Sequence, residues 1–185
     1  MPINLESIKK DSLMEVAKEI ALSARTAPKA RGMDDITIAI LTDEEKEEVA
    51  KKLESLANER NLWWFKRDAD NVRNSSIVMV FGVKGSKPRE LNCGACGYKD
   101  CAEFKKAGRG GSDFAGPSCA YPIVDLGIAL GSAVKLASIF GIDNRIMYTV
   151  GLAAKKLNLI DADFILGLPL SATGKSIYFD RPRQT

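Results

Sequence analysis

The chain has 185 residues, long enough for one domain with a proper apolar core, and its 45% hydrophobic and 28% charged residues give the balance of an ordinary soluble globular protein. A formal net charge of +3 is too small to argue for a nucleic-acid surface. Histidine is absent, which excludes histidine triads, histidine–zinc catalysis and imidazole proton shuttling.

In chain order, Ser12 with Glu15 three places on has the form of a capping box. Leu13, Val16, Ala17, Ile20, Ala21 and Ala24 then recur at helical spacing as one buried stripe. That helix should end at Ala27-Pro28, because the residue before a proline is pushed out of the α region. Ile36 to Leu41 reads as a short buried strand. Thr42 and Glu45 form a second capping box, opening a charged helix to Arg60 whose acidic start suits the helix dipole. Trp63, Trp64 and Phe65 are read as core or interface, Arg67 to Asn74 as a polar stretch, and Ser76 to Val83 as a second buried strand. Beyond a cysteine-rich interruption, the stretch from Tyr121 to Phe140 reads as a helix apolar almost all round and therefore buried on every side, closed by Gly141 and central to the fold or to a dimer. Asp125 and Lys135 within it argue against a membrane span. Arg145 to Val150 reads as a strand, Leu152 to Leu159 as a short helix and Phe164 to Leu168 as a final strand. Met1-Pro2 is followed by charged residues rather than an apolar signal core, so a reducing, cytoplasmic compartment is expected.

The only cysteines, Cys93, Cys96, Cys101 and Cys119, fall in one window with the spacing C-x2-C-x4-C-x17-C. Thiolates suit iron–sulfur clusters, zinc or copper. Three chemistries compete for them. Disulfides need an oxidising compartment, which nothing marks. Zinc usually brings a second C-x2-C knuckle or histidines, and both are missing. Iron–sulfur ligation by four cysteines needs neither, and it is the favoured reading. Gly94 and Gly97 let the loop turn with φ > 0, and Lys99 and Ser112 are hydrogen-bond donors on the same stretch.

The run CGACGYKDCAEF followed by Cys119 resembles the small 4Fe–4S domain of electron-transfer and corrinoid/CO-metabolism proteins, which reads C-G-x-C-G-x-x-x-C with a later cysteine near a proline. Here that proline, Pro122, stands three places after Cys119 rather than beside it. A broader resemblance links ALSARTAPKARG to the A-A-R-x-A-P-S segment of the flavin-dependent nitroreductases. The stretch from Asp125-Leu-Gly to Phe140-Gly-Ile-Asp is similar to their long central helix, and Gly167-Leu-Pro to their closing strand. A nitroreductase-like scaffold carrying such cysteines resembles the uncharacterised ferredoxin domain-containing family. The resemblance implies an α+β fold, a nitroreductase-like three-layer sandwich with a mixed, mainly antiparallel sheet. It implies a single domain over 1–185 with an iron–sulfur-type insertion at 90–122, and a homodimer around the central helix.

The family's flavin, FMN, would then lie at the dimer interface. Nitroreductases clamp its phosphate with an early Arg-x-Ser-x-Arg and a late basic cluster. Residues 1–12 contain no arginine, so Arg25, Lys29 and Arg31 stand as substitutes, with Lys175 and Arg181 as the late cluster. Solvated surface cations are the plain alternative for each. Thr173-Gly-Lys-Ser is not a P-loop, since Pro169 occupies the place of the required earlier glycine. The functional expectation is a redox protein that transfers electrons to a partner protein or carries out flavin-linked reduction, without nucleic acid or membrane. Its alternative is an assembly module whose metal, zinc or iron–sulfur, merely staples a loop. Tyr121, Tyr148, Asp125 and Lys175 lie near the interesting segments, but none is assigned as acid, base or nucleophile.

Overall fold

The computed structural model describes residues 4–179. Its elements are α1 (Leu5–Thr26), a 3-10 turn (Ala30–Gly32), β1 (Ile36–Ile40), α2 (Asp43–Arg60), α3 (Trp63–Asn74), β2 (Ile77–Val83), α4 (Cys101–Lys106), α5 (Ala120–Ile139), β3 (Asp143–Asn144), α6 (Tyr148–Lys156) and β4 (Phe164–Ser171). The strands form one sheet in the order β1-β2-β4-β3, and all of its described pairings are antiparallel.

Every residue of β2 is buried, so both faces of this strand are covered, as its unbroken apolar run requires. Alternation then assigns the layers. Ile77, Met79, Phe81 and Val83 join Leu168 and Leu170 beneath α1 and α5. Val78 and Val80 join Ile165 beneath α2, α3 and α6. The result is a three-layer α/β/α sandwich with an apolar cluster on each side of the sheet. Pro169 sits inside β4 without breaking it. Gly167, two residues earlier, directs both its N–H and C=O toward Met147, so by alternation the missing N–H of Pro169 faces the short β3 side rather than β2.

Four sequence expectations are corrected. First, α1 begins at Leu5, so Ser12 is interior and caps nothing; no proline or glycine interrupts the preceding residues, and Glu15 pairs with Lys18 instead. Second, Arg67 to Asn74, read only as a polar stretch, is the body of α3, whose Phe65, Ala69 and Val72 are buried at helical spacing, while Trp63 and Trp64 of its first turn are exposed. Third, the strand expected over Arg145–Val150 is reduced to Asp143–Asn144 and one bridge at Met147, and α6 starts at Tyr148. There is a steric reason for glycine within this helix: a Cβ on Gly151 would lie 1.9 Å from the Ile165 carbonyl oxygen, so α6 crosses directly over β4. Fourth, α5 is not buried all round.

On its inner side α5 buries Asp125, Leu126, Ala129, Leu130, Ala133 and Ala137, and it locks to α1 through Ser132 and Ser23, whose hydroxyls are 2.8 Å apart. On its outer side Tyr121, Val124, Ile128 and Ile139 are exposed, with Gly127 and Gly131 between them. By length and composition this helix is apolar enough to cross a membrane, and 39% of its most apolar window is buried inside the molecule. It ends as the sequence indicates: Gly141 has φ 65°, its N–H donates to Ser138, and Ile142 donates back to Ala137. The capping box of α2 forms with both bonds, Glu45 N–H to Thr42 Oγ1 at 3.2 Å and Thr42 N–H to Glu45 Oε2 at 2.8 Å.

Candidate metal centre

Between β2 and α5 the chain leaves the sheet, and its return is fixed where it started: the Cys119 N–H donates to the Gly85 carbonyl at 2.8 Å. Cys119 is the residue before the first turn of α5, and Cys101 is the first residue of α4. Two thiols are therefore placed by helix starts and two, Cys93 and Cys96, by the loop between Asn92 and Gly97. Left-handed backbone at Asn92 (φ 48°), Gly94 (φ 70°) and Gly97 (φ 87°) makes that loop tight. Asn92 ties it to α4 in both directions, accepting the Cys101 N–H at 3.0 Å on its side chain and donating its own N–H to Cys101 Sγ at 3.4 Å. Asp100 caps α4 by accepting the Glu103 N–H at 2.8 Å, and Glu103 in turn accepts the Lys99 N–H at 2.8 Å.

All four cysteines line one cavity, together with Arg89, Leu91, Tyr98, Asp100 and Tyr121. Cys101 and Cys119 are buried, Cys96 is half-buried and Cys93 is exposed, so one edge of the quartet faces solvent. All four thiols are free. Among the described residues no three Cys, Asp or Glu side chains stand close enough to hold a single metal ion. A tetrahedral zinc with Zn–S bonds of about 2.3 Å needs sulfurs about 3.8 Å apart. The quartet thus shares a cavity without closing to mononuclear spacing. Four soft donors with no nitrogen ligand are a donor set that fits a 4Fe–4S centre.

Beneath the cavity lies a buried ion network that carries no motif in the sequence. Arg89 is 1% exposed; its Nη1 lies 2.6 Å from Asp35 Oδ2 and its Nη2 2.9 Å from Asp125 Oδ2. Asp125 also accepts the Ala30 N–H at 2.9 Å, and the Arg89 carbonyl accepts from Arg31 at 3.0 Å. Burial pushes the Asp35 carboxyl up, but hydrogen bonds and charge from Arg89 and Lys87 outweigh it and hold the group below its ordinary range. Asp125 is thereby a structural counter-ion. The one sequence signal for Arg89 is Asp125 itself, a lone acid in an apolar helix that demands a cation.

The excursion between α4 and α5 is docked by Asp113. Its carboxylate receives Arg60 Nη1 at 3.1 Å and Nη2 at 2.5 Å, and it also accepts the Tyr148 hydroxyl. The Arg60 guanidinium holds the Asp113 carboxyl low, while burial, followed by the Asp113 contact, raises Tyr148. Phe114 packs on Phe164 with centroids 4.5 Å apart. Ser112 belongs to this docking surface, where its carbonyl accepts from Lys156, and it does not line the cysteine cavity.

An uncharacterized protein of Archaeoglobus fulgidus is 51% identical over 181 residues, 98% of each chain. A family model described as an uncharacterized protein containing a ferredoxin domain matches residues 115–181, a span that includes Cys119. The chain belongs to this ferredoxin domain-containing family. Among solved structures the family member is similar to a nitroreductase with bound FMN from Desulfitobacterium hafniense (TM-score 0.58, 16% identity, 100% of this chain and 84% of that one). It is similar also to nitroreductase A from Vibrio parahaemolyticus (TM-score 0.54, 15% identity, 95% of this chain) and to the NADPH:FMN oxidoreductase of Vibrio harveyi (TM-score 0.55, 15% identity, 91% of this chain). It spans 61% and 63% of the length of those two. At such identities the likeness fixes the fold, which is nitroreductase-like.

Of the five cations singled out for a flavin phosphate, four fall within the described residues. Arg25, Lys29 and Arg31 cluster at the C-terminal end of α1. There Arg25 binds the Ile36 carbonyl at 3.0 Å and Asp34 at 2.9 Å, and Lys29 donates to the Arg25 carbonyl. Lys175 follows Ala172, which lies with Phe140 and Ile142 against the N-terminal half of α1. Ala172 thus stands by the half of α1, about 33 Å long at 1.5 Å per residue, that is remote from the Arg25, Lys29 and Arg31 group, and Lys175 follows it three residues later. Arg181 lies outside the described residues.

Proposed function

We propose that this protein is a one-electron redox carrier whose Cys93, Cys96, Cys101 and Cys119 hold a 4Fe–4S cluster. The observation that carries the reading is that four cysteines separated by a 17-residue excursion line a single cavity with one edge open to solvent. When bound, such a cluster takes up and releases single electrons without bond rearrangement at the protein. The chain's part is to bury Cys101 and Cys119, to keep Cys93 accessible, and to present the Asn92 backbone N–H to the Cys101 sulfur.

A second copy completes the molecule in this reading. The exposed apolar stripe of α5, with Gly127 and Gly131 allowing close backbone approach, is the surface that a homodimer would cover. Pairing would also be the means of bringing Lys175 of one copy toward Arg31 of the other, supplying an FMN phosphate with cations that one chain keeps apart. With flavin present, the protein becomes a flavin-linked oxidoreductase.

Protein prepared without oxygen should contain iron and sulfide in equal amounts and show a broad visible absorption that bleaches reversibly on reduction. Cys119→Ser should lose it. A colourless zinc protein would overturn the redox reading in favour of a stapled loop, and a flavin spectrum after acid extraction decides the second cofactor.

A further inference from the structure

We infer that the buried Arg89–Asp125 pair positions the cysteine quartet: it holds the segment leading to Cys93 and Cys96 against the helix that starts at Cys119, so that the four thiols share one cavity. The inference rests on the redox reading above and adds to it the residues that bring the ligands together.

The thiols arrive on two lengths of chain. Cys93, Cys96 and Cys101 follow β2 through residues 84–92, and Cys119 stands just before the first turn of α5. Two ties join these lengths. One is between backbones, from the Cys119 N–H to the Gly85 carbonyl at 2.8 Å. The other is between side chains: Arg89 Nη2 and Nε lie 2.9 Å and 3.3 Å from Asp125 Oδ2. At 1.5 Å per residue, Cys119 and Asp125 are about 9 Å apart along the helix. The tie at Gly85 alone would let the loop pivot, whereas a second one at Arg89 fixes its direction. Asn92 passes the placement on, since its side chain accepts the Cys101 N–H at 3.0 Å.

The backbone beside Arg89 records this constraint. Among the described residues, non-glycine positive φ occurs at Arg31, Asn61, Glu90, Asn92 and Asn158. Asn61 and Asn158 follow the ends of α2 and α6, where asparagine in this conformation is common. The other three surround Arg89. Glu90 (φ 53°) follows it, Asn92 (φ 48°) opens the ligand loop, and Arg31 (φ 58°) donates to the Arg89 carbonyl at 3.0 Å. Left-handed backbone at arginine or glutamate persists only where surrounding contacts over-determine it. The two carboxylates on Arg89 divide that task. Asp35, just before β1, ties Arg89 to the sheet, and Asp125 ties it to α5. Only the second of these spans the two lengths that carry the ligands.

The test begins with reduced, metal-free protein whose fold is checked by far-UV circular dichroism. Dibromobimane, which fluoresces when it bridges two neighbouring thiols, is added, and peptide mapping identifies the cysteines joined. In the parent, Cys119 should be bridged to a thiol of the Cys93–Cys101 segment. Asp125→Ala should lose that bridge and keep the local one between Cys93 and Cys96. Should it fail the fold check, Asp125→Asn, which retains an acceptor for the Ala30 N–H, takes its place. Asp35→Ala, which removes the other half of the network, should keep both bridges. After anaerobic reconstitution, iron affinity should fall about tenfold in the Asp125 variant, the usual cost of removing an outer-shell partner, and hold in Asp35→Ala. A folded Asp125 variant that forms the Cys119 bridge at the parent's yield overturns the inference. So does an Asp35→Ala protein that loses the bridge equally, because the whole network rather than the tie to α5 would then be responsible. A parent that takes up no iron and sulfide sinks the redox reading and this inference with it, and that result is read before any variant is compared.

Discussion

The guanidinium of Arg89 and the carboxylate of Asp125 meet at 2.9 Å with neither side chain more than 3% exposed. One belongs to the base of the cysteine loop and the other to the inner face of α5. This pair, with Asp35, joins the cysteine region to both the sheet entry and the longest apolar helix. Removing one partner of such a pair leaves an uncompensated buried charge, at a cost of about 3–5 kcal/mol. Arg89→Met should therefore lower the free energy of unfolding in urea by that amount. A loss below about 1 kcal/mol would mean that water reaches the two carboxylates.

Stability should fall in acid. The carboxyls of Asp35, Asp113 and Asp163 all sit below the ordinary 3.8 in the folded chain. For Asp35 and Asp163 burial acts in the opposite direction and is outweighed by Arg89 and Lys87 in one case and by Ser86 in the other; for Asp113 the Arg60 contact dominates. A depressed folded pKa means that the unfolded chain binds protons first. The stabilisation is therefore complete above the ordinary carboxylate range and lost as pH falls below it through the folded values. Urea midpoints measured from pH 6 down to pH 2 should show the decline, and Asp113→Asn should make it shallower. An identical slope in that variant would refute the role assigned to Asp113.

Asp113 and Arg60 should also be energetically coupled. A bidentate, partly buried contact of this kind is worth about 1.5–3 kcal/mol. A double-mutant cycle with Asp113→Ala and Arg60→Ala should return a coupling of that order. Each single variant should also speed proteolysis between α4 and α5, because the excursion loses its mooring. Additive losses would separate the two residues.

Replacing Ile128 on the exposed stripe of α5 by Asp places a charge where the homodimer is proposed to close. The variant should sediment as a monomer with its unfolding midpoint little changed, since Ile128 contributes little to the chain's own core. A parent protein that already sediments as a monomer would remove the stripe's proposed purpose.

Local chemistry was legible in the sequence; long-range pairing was not. Thr42, Glu45 and Gly141 act within one turn of their own position, so the ends of α2 and α5 could be read directly. Helix α3 was obscured because its buried face amounts to Phe65, Ala69 and Val72, while its buried Asp68 is satisfied by Thr149 at 2.8 Å from a distant helix. The start of α6 looks strand-like because Thr149 and Val150 are β-branched, and tertiary packing on β4 overrides that preference. At the candidate centre, the spacing of the thiols anticipated that all four would line one cavity. It contained nothing of Arg89, Asp113 or Asn92, whose partners lie many residues away or depend on left-handed backbone.

Helix α6 and strand β4 touch with no space for a side chain at Gly151, and this contact determines where Tyr148, three residues earlier, can stand. One added carbon, as in Gly151→Ala, should lever the helix outward and draw the phenol away from the loop that delivers Cys119. Thiol reactivity toward a maleimide reagent would register the slackening. A chain of this kind can thus be disarmed at a position that no inventory of ligands would include.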